Sequence, residues 1–88
     1  MAALNVQFKP AVEKDLRRIP QKLTARILKR IEQLSTAPFP ATAIKLEGAE
    51  NFYRVRVGDF RIIYEIDAAA NILLIHYVRN RKGVYRKI

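Results

Sequence analysis

FYRVRVGDFRIIYEID, residues 52–67, is the stretch whose reading decides the fold. Two alternating runs flank Gly58-Asp59, and glycine at the first central position of a two-residue loop suits a primed turn between antiparallel strands. The register follows from the loop length. Val57 faces Phe60, Arg56 faces Arg61, Val55 faces Ile62, Arg54 faces Ile63 and Tyr53 faces Tyr64. Alternation then assigns Tyr53, Val55, Val57, Phe60, Ile62, Tyr64 and Ile66 to one face, all of it core material. The other face carries Arg54, Arg56 and Arg61. Like charges set directly opposite each other destabilise a sheet, and Glu65, diagonal to Arg54 and its expected partner, is one carboxylate against three guanidiniums. A guanidinium keeps its charge and forks onto phosphate oxygens, so the pattern reads as a phosphate-binding face.

Upstream of this hairpin, residues 4–8 (LNVQF) alternate as a half-buried strand. Pro10 opens a short helix on which Val12, Leu16 and Ile19 fall at helical spacing, with Glu13 and Asp15 early and Arg17 and Arg18 late, as the helix dipole favours. Pro20 ends it and begins a second helix with an apolar stripe of Leu23, Ile27, Ile31 and Leu34. Lys22, Arg26, Lys29 and Arg30 lie mainly off that stripe, as a solvated face or secondary contacts to RNA backbone. Residues 37–40 (APFP) cannot continue a helix and mark the passage to the sheet. Residues 43–46 then read as a short strand, followed by a turn into the arginine hairpin.

Downstream, residues 72–78 (ILLIHYV) form a strand apolar on both faces, hence central in the sheet. Apolar alternation leaves its register open. Pairing Arg61 with Arg79 and Ile63 with Tyr77 brings Arg79 onto the arginine face, and a shift of one residue removes it. Ile63, Leu73, Ile75 and Tyr77 share that face or not, depending on the same choice. His76, the only histidine, stands three residues before Arg79, so regular alternation sends it to the opposite face as a core or structural residue. The last ten residues, RNRKGVYRKI, hold five basic side chains and Tyr85.

The 88 residues suffice for one domain with a single core, taken as residues 1–88. Seventeen Lys+Arg against eight Asp+Glu give a net charge of +9, which favours nucleic acid, another polyanion or an acidic protein partner. Residues 52–88 hold eight basic and three acidic side chains, and residues 1–51 hold nine and five, so the excess is spread over the folded body. Cysteine is absent, which excludes disulfides, thiol catalysis and Cys-rich metal sites. No charged leader precedes an apolar core, and no apolar run approaches the roughly 20 residues that cross a bilayer. The expected location is cytosolic.

From Leu46-Glu47-Gly48 through YRVRVGDFRIIYEI, the hydrophobic strand, Arg79 and the Val84-Tyr85 ending, the chain resembles the RelE/ParE superfamily of bacterial toxin components. Element order matches as well, so the resemblance covers nearly the whole chain. It implies an α+β fold: a small, mainly antiparallel sheet with a mixed edge, an N-terminal strand and a two-helix hairpin packed on one face. In the RelE branch it implies a ribosome-dependent endoribonuclease that cuts messenger RNA in the A site. Carried over residue by residue, the basic pair of the first hairpin strand is Arg54 and Arg56, the arginine after the turn aromatic is Arg61, the arginine closing the last strand is Arg79, and the tyrosine six residues later is Tyr85. The family's best-known RelE proteins have lysines where this chain has Arg54 and Arg56, which leaves the general base open.

Metal-free cleavage by such a set uses the RNA's own 2′-hydroxyl on the adjacent phosphate, leaving a 2′,3′-cyclic phosphate and a 5′-hydroxyl. Arg61 and Arg79 are the expected stabilisers of phosphoryl charge, with Tyr85 as proton acceptor or base-stacking residue. Arg54, Arg56, Arg81 and Lys82 are the expected phosphate contacts, Lys82 also a candidate base if the terminus folds back. No cofactor or metal is required. The expected partners are the ribosome, messenger RNA and an acidic antitoxin that folds on binding and masks the basic cleft. Two other readings stand beside this one: a ParE-like gyrase inhibitor without nuclease activity, and a non-catalytic basic RNA-binding module.

Overall fold

Gly58 takes a positive φ of +59° and closes the hairpin between β3 (Phe52–Val57) and β4 (Phe60–Asp67) in the register the loop length dictates, Arg56 opposite Arg61 and Arg54 opposite Ile63. The computed structural model describes residues 3–48 and 50–80. Around the hairpin stand β1 (Asn5–Phe8), α1 (Pro10–Arg17), α2 (Gln21–Thr36), β2 (Ile44–Lys45) and β5 (Ile72–Asn80). The sheet order is β1-β5-β4-β3-β2, with β1 parallel to β5 and every other pair antiparallel. This is the expected α+β architecture with a mixed edge, and β5 lies between β1 and β4.

The two prolines punctuate the helices as their chemistry requires. Pro10 occupies the first turn of α1, where its missing N–H costs nothing. Pro20 precedes α2 and accepts from the backbone N–H groups of Leu23 and Thr24 at 2.9 and 3.0 Å. The Thr24 hydroxyl donates to the carbonyls of Ile19 and Leu16 at 3.3 and 3.4 Å, fastening the start of α2 to the end of α1. Both helices turn their apolar stripes to the same face of the sheet. Val12, Ile19, Ile27, Ile31 and Leu34 pack there against Val55, Val57, Ile62, Tyr64, Ile66, Leu73, Ile75 and Val78, with Tyr53 and Phe60 partly buried beside them. All seven hairpin residues assigned to the core face from alternation lie on it, five of them buried and Tyr53 and Phe60 packed at its edge.

The last strand departs from any single register. Arg61 pairs with Arg79, Ile62 with Val78 and Ile63 with Tyr77, but Tyr64 then pairs with Ile75 and Ile66 with Leu73. One residue of β5, His76, is extra, and the strand contains a β-bulge. Counting by twos from Leu73 and Ile75, both fully buried, would send Tyr77 and Arg79 into the core. The bulge reverses the parity, so that Val78 is buried and Tyr77 and Arg79 emerge on the opposite face. Leu73 and Ile75 therefore do not share the arginine face with Ile63 and Tyr77. His76 is also displaced from the side expected of it: it lies with Glu65 and Phe52 on the face away from the helices, although mostly buried there.

Tyr64 anchors the core to the loop after α2, its hydroxyl donating to the Pro38 carbonyl at 2.7 Å. Burial pushes its phenol up from 10.0 to about 12, against a smaller opposing pull from the Arg30 charge. Between those values the unfolded chain has lost the proton and the folded chain keeps it. The stabilisation is thus complete below pH 10 and is lost as pH rises through the folded value. Denaturant unfolding from pH 8 to 12 should show wild type losing roughly 2–3 kcal/mol more than Tyr64→Phe over this interval. At neutral pH the variant should be less stable by about 1 kcal/mol, for the lost hydrogen bond. Parallel alkaline limbs would refute the assignment.

Candidate phosphate-binding site

Cross-strand pairing arranges the open face in rows. Arg56, Arg61 and Arg79 form one row across β3, β4 and β5. The next contains Ile44, Arg54, Ile63 and Tyr77, and the next Phe52, Glu65 and Leu74. Arg56 is exposed, whereas Arg54, Arg61 and Arg79 are half-buried. Between the first two rows lies a hollow of about 210 Å³ lined by Leu46, Arg54, Arg61, Ile63, Tyr77 and Arg79. Three guanidiniums thus border one cavity with an apolar and aromatic remainder, a surface suited to an anion that carries a planar ring.

Arg79 and Arg56 are steered by their surroundings. The Arg79 guanidinium carbon lies 4.7 Å from the centre of the Tyr77 ring, a cation–π distance. Its Nε is 3.7 Å from Asp15 Oδ2 on α1, a long ion pair between partly exposed groups that contributes little stability but restricts the side chain. Arg56 donates a long, weak bond of 3.5 Å to the Gly58 carbonyl. Glu65 is not the partner of Arg54 that diagonal placement suggested. Its Oε1 stands 2.9 Å from His76 Nε2, and the His76 ring packs on Phe52 with centroids 4.7 Å apart. The bulge causes this exchange, because it carries an imidazole to the carboxylate.

Of the residues singled out in the sequence, the structure brings Arg54, Arg56, Arg61 and Arg79 together. Arg81, Lys82 and Tyr85 lie outside the described residues. Leu46, Asp15 and the Glu65–His76 pair were not anticipated at the site. The one available signal was the apolar run of β5, too long and too uniform for a single alternation. On the helical side, Arg26, Lys29, Arg30, Gln33 and Val57 line a second, shallower hollow, where Arg30 donates to Gln33 Oε1 at 3.1 Å and to Thr42 Oγ1 at 2.9 Å. Among the described residues no group of three or more His, Asp or Glu is placed to hold a metal ion, and no helix is long and apolar enough to cross a membrane.

Helices on one face and an arginine row on the other define a small basic α+β protein. Residues 6–85 match the family described as the ParE toxin of type II toxin-antitoxin systems, parDE. The Methanocaldococcus jannaschii protein RelE1 is 33% identical over 85 residues, which make up 93% of this chain and 94% of that protein. RelE in the archaeal RelE–RelB complex of Pyrococcus horikoshii OT3 superposes with a TM-score of 0.80 and 29% identity, over 91% of this chain and 97% of that one. The isolated E. coli RelE toxin shares the fold at a TM-score of 0.77 with 17% identity, over 98% and 100% of the two chains. The chain belongs to the RelE/ParE superfamily of toxins from type II toxin–antitoxin systems.

Anion binding at the arginine row should stabilise the fold. Inorganic phosphate at about ten times its dissociation constant should add about 1.4 kcal/mol and raise Tm by roughly 6–11 °C over chloride of equal ionic strength. The double variant Arg56→Gln/Arg79→Gln should lose most of that increment. Equal shifts with the two salts would show that the row binds no anion specifically.

Proposed function

We propose that this toxin is a metal-independent endoribonuclease that cuts messenger RNA in the ribosomal A site and so stops translation. The observation that supports it most is the set of four arginines on one open face, three of them in a single cross-strand row. Attack by a 2′-hydroxyl on the adjacent phosphate gathers negative charge on the phosphoryl oxygens. Fixed guanidiniums answer that charge without reorganising, an effect of roughly 2.7–4 kcal/mol per donor in comparable preorganised sites. Arg61 and Arg79 take this role in the proposal, and Arg54 and Arg56 hold flanking phosphates, with Arg81 and Lys82 as further contacts. Tyr85 is the proposed acceptor of the 2′ proton. The site offers positioning and charge more than proton transfer, consistent with an enzyme that relies on the ribosome to splay its substrate.

An antitoxin partner is part of the same reading, because the similar archaeal toxins were solved as RelE–RelB complexes. The expected partner is acidic, folds on binding and covers the arginine face, and the expected setting is the cytoplasm, with translating ribosomes. A second reading has support of its own: the matching family is described by its ParE toxin, so a gyrase-directed protein on the same scaffold stays in view.

Primer extension on a translated message in a reconstituted system separates the two. Wild type should produce breaks at A-site codons, and Arg61→Ala should reduce the cleavage rate roughly 100- to 1000-fold. Tyr85→Phe should reduce it as well. An intact message, with gyrase-linked DNA breaks in a parallel assay, would assign the chain to the ParE activity instead.

A further inference from the structure

The hollow beside the arginine row contains more than phosphate binding needs. Leu46, Ile63 and Tyr77 supply half of its lining, and Tyr77 is 44% exposed among three guanidiniums. Without the bulge this ring would face the helices, so the sheet departs from regular pairing at the point where an aromatic reaches the cationic cavity. Bulges of this kind re-aim side chains next to binding sites. The ring is also held in place. Arg79 covers it at 4.7 Å, and the neighbouring His76 ring, 6.4 Å away, is itself fixed by Glu65 at 2.9 Å and by Phe52 at 4.7 Å.

We propose that this hollow is a nucleobase subsite, in which the Tyr77 ring and the Arg79 guanidinium packed on it form one stacking platform for an unpaired base while Arg54 and Arg61 hold the phosphates that flank it. The substrate class rests on the ribonuclease reading above. The new element is Tyr77, whose ring and covering guanidinium offer a stacking platform that tolerates any base but requires one. An acidic peptide with an apolar side chain would meet the charges yet leave the stacking platform unused, so RNA is the better fit.

The test uses the full chain and two single-stranded trinucleotides with 2′-O-methyl riboses, which cannot be cleaved, one bearing bases and the other abasic throughout. Titration followed by NMR or fluorescence anisotropy should show wild type binding the base-bearing probe roughly 5- to 100-fold more tightly. Tyr77→Ala should lose most of the preference for the base-bearing probe, and Tyr77→Phe should retain it. Equal binding of the two probes by wild type, binding of neither, or a preference that survives Tyr77→Ala would overturn the subsite. So would a loss in Tyr77→Ala confined to an acidic peptide assayed in parallel. The two readings fail separately. Arg61-dependent cleavage without a base preference defeats the subsite alone, whereas a Tyr77-dependent base preference upholds the subsite even if no message is cut.

Discussion

One extra residue in the last strand determines what the open face of this protein can do. If β5 paired with β4 in a single register throughout, either its Leu73–Ile75 half or its Val78 end would be turned out of the core. The bulge at His76 lets both halves keep their buried residues and delivers Tyr77 and Arg79 to the side of Arg54, Arg56 and Arg61. A local backbone irregularity thus reconciles two demands that a regular strand cannot meet together. The unpaired residue is put to use as well, since its imidazole joins Glu65 and Phe52 in a small polar and aromatic cluster beside the site.

Magnitudes explain why a sheet can carry such a row. Opposed like charges cost roughly 0.2–1 kcal/mol per pair. On the reverse of the same strands, Val55, Ile62 and Val78 form an adjacent cross-strand row that is almost completely buried, and full burial of each such side chain contributes about 1.5–3 kcal/mol. The dry face outweighs the charged one. The fold can therefore carry the arginine row, because its stability is supplied by the other face.

Sequence reading reached furthest where chemistry is local. Gly58 specified the turn, the turn specified the register of β3 and β4, and alternation specified both faces of that hairpin. Pro10 and Pro20 marked where the helices begin, and the stripe on α2 marked the side they bury. The parallel pairing of β1 with β5 was foreseen only as a mixed edge, since nothing in a four-residue strand names its neighbour. β5 was the least legible element: with apolar residues on both faces it gives no parity signal, and a bulge leaves none in composition. For that reason regular alternation puts His76 on the wrong face and Glu65 with the wrong partner, and it leaves the side of Leu73 and Ile75 open. Arg79 was found by its place in a family motif before geometry could put it beside Arg61. Asp15 and Leu46 belong to separate elements that only the tertiary fold brings to the site.

The strand order has a further consequence for how the chain assembles as it is made. β1 is the first strand in the chain, yet its partner among the described elements is β5, the last, and β5 alone joins it to the rest of the sheet. While synthesis proceeds, the helices and the β3–β4 hairpin can form from local contacts, but β1 has no strand to pair with until residues 72–75 are available. Arg79 appears later still, and with it the third member of the arginine row. A nascent chain of this topology therefore has neither a closed sheet nor a complete arginine row until β5 is in place, so the full cationic surface forms only after residue 79 has been made.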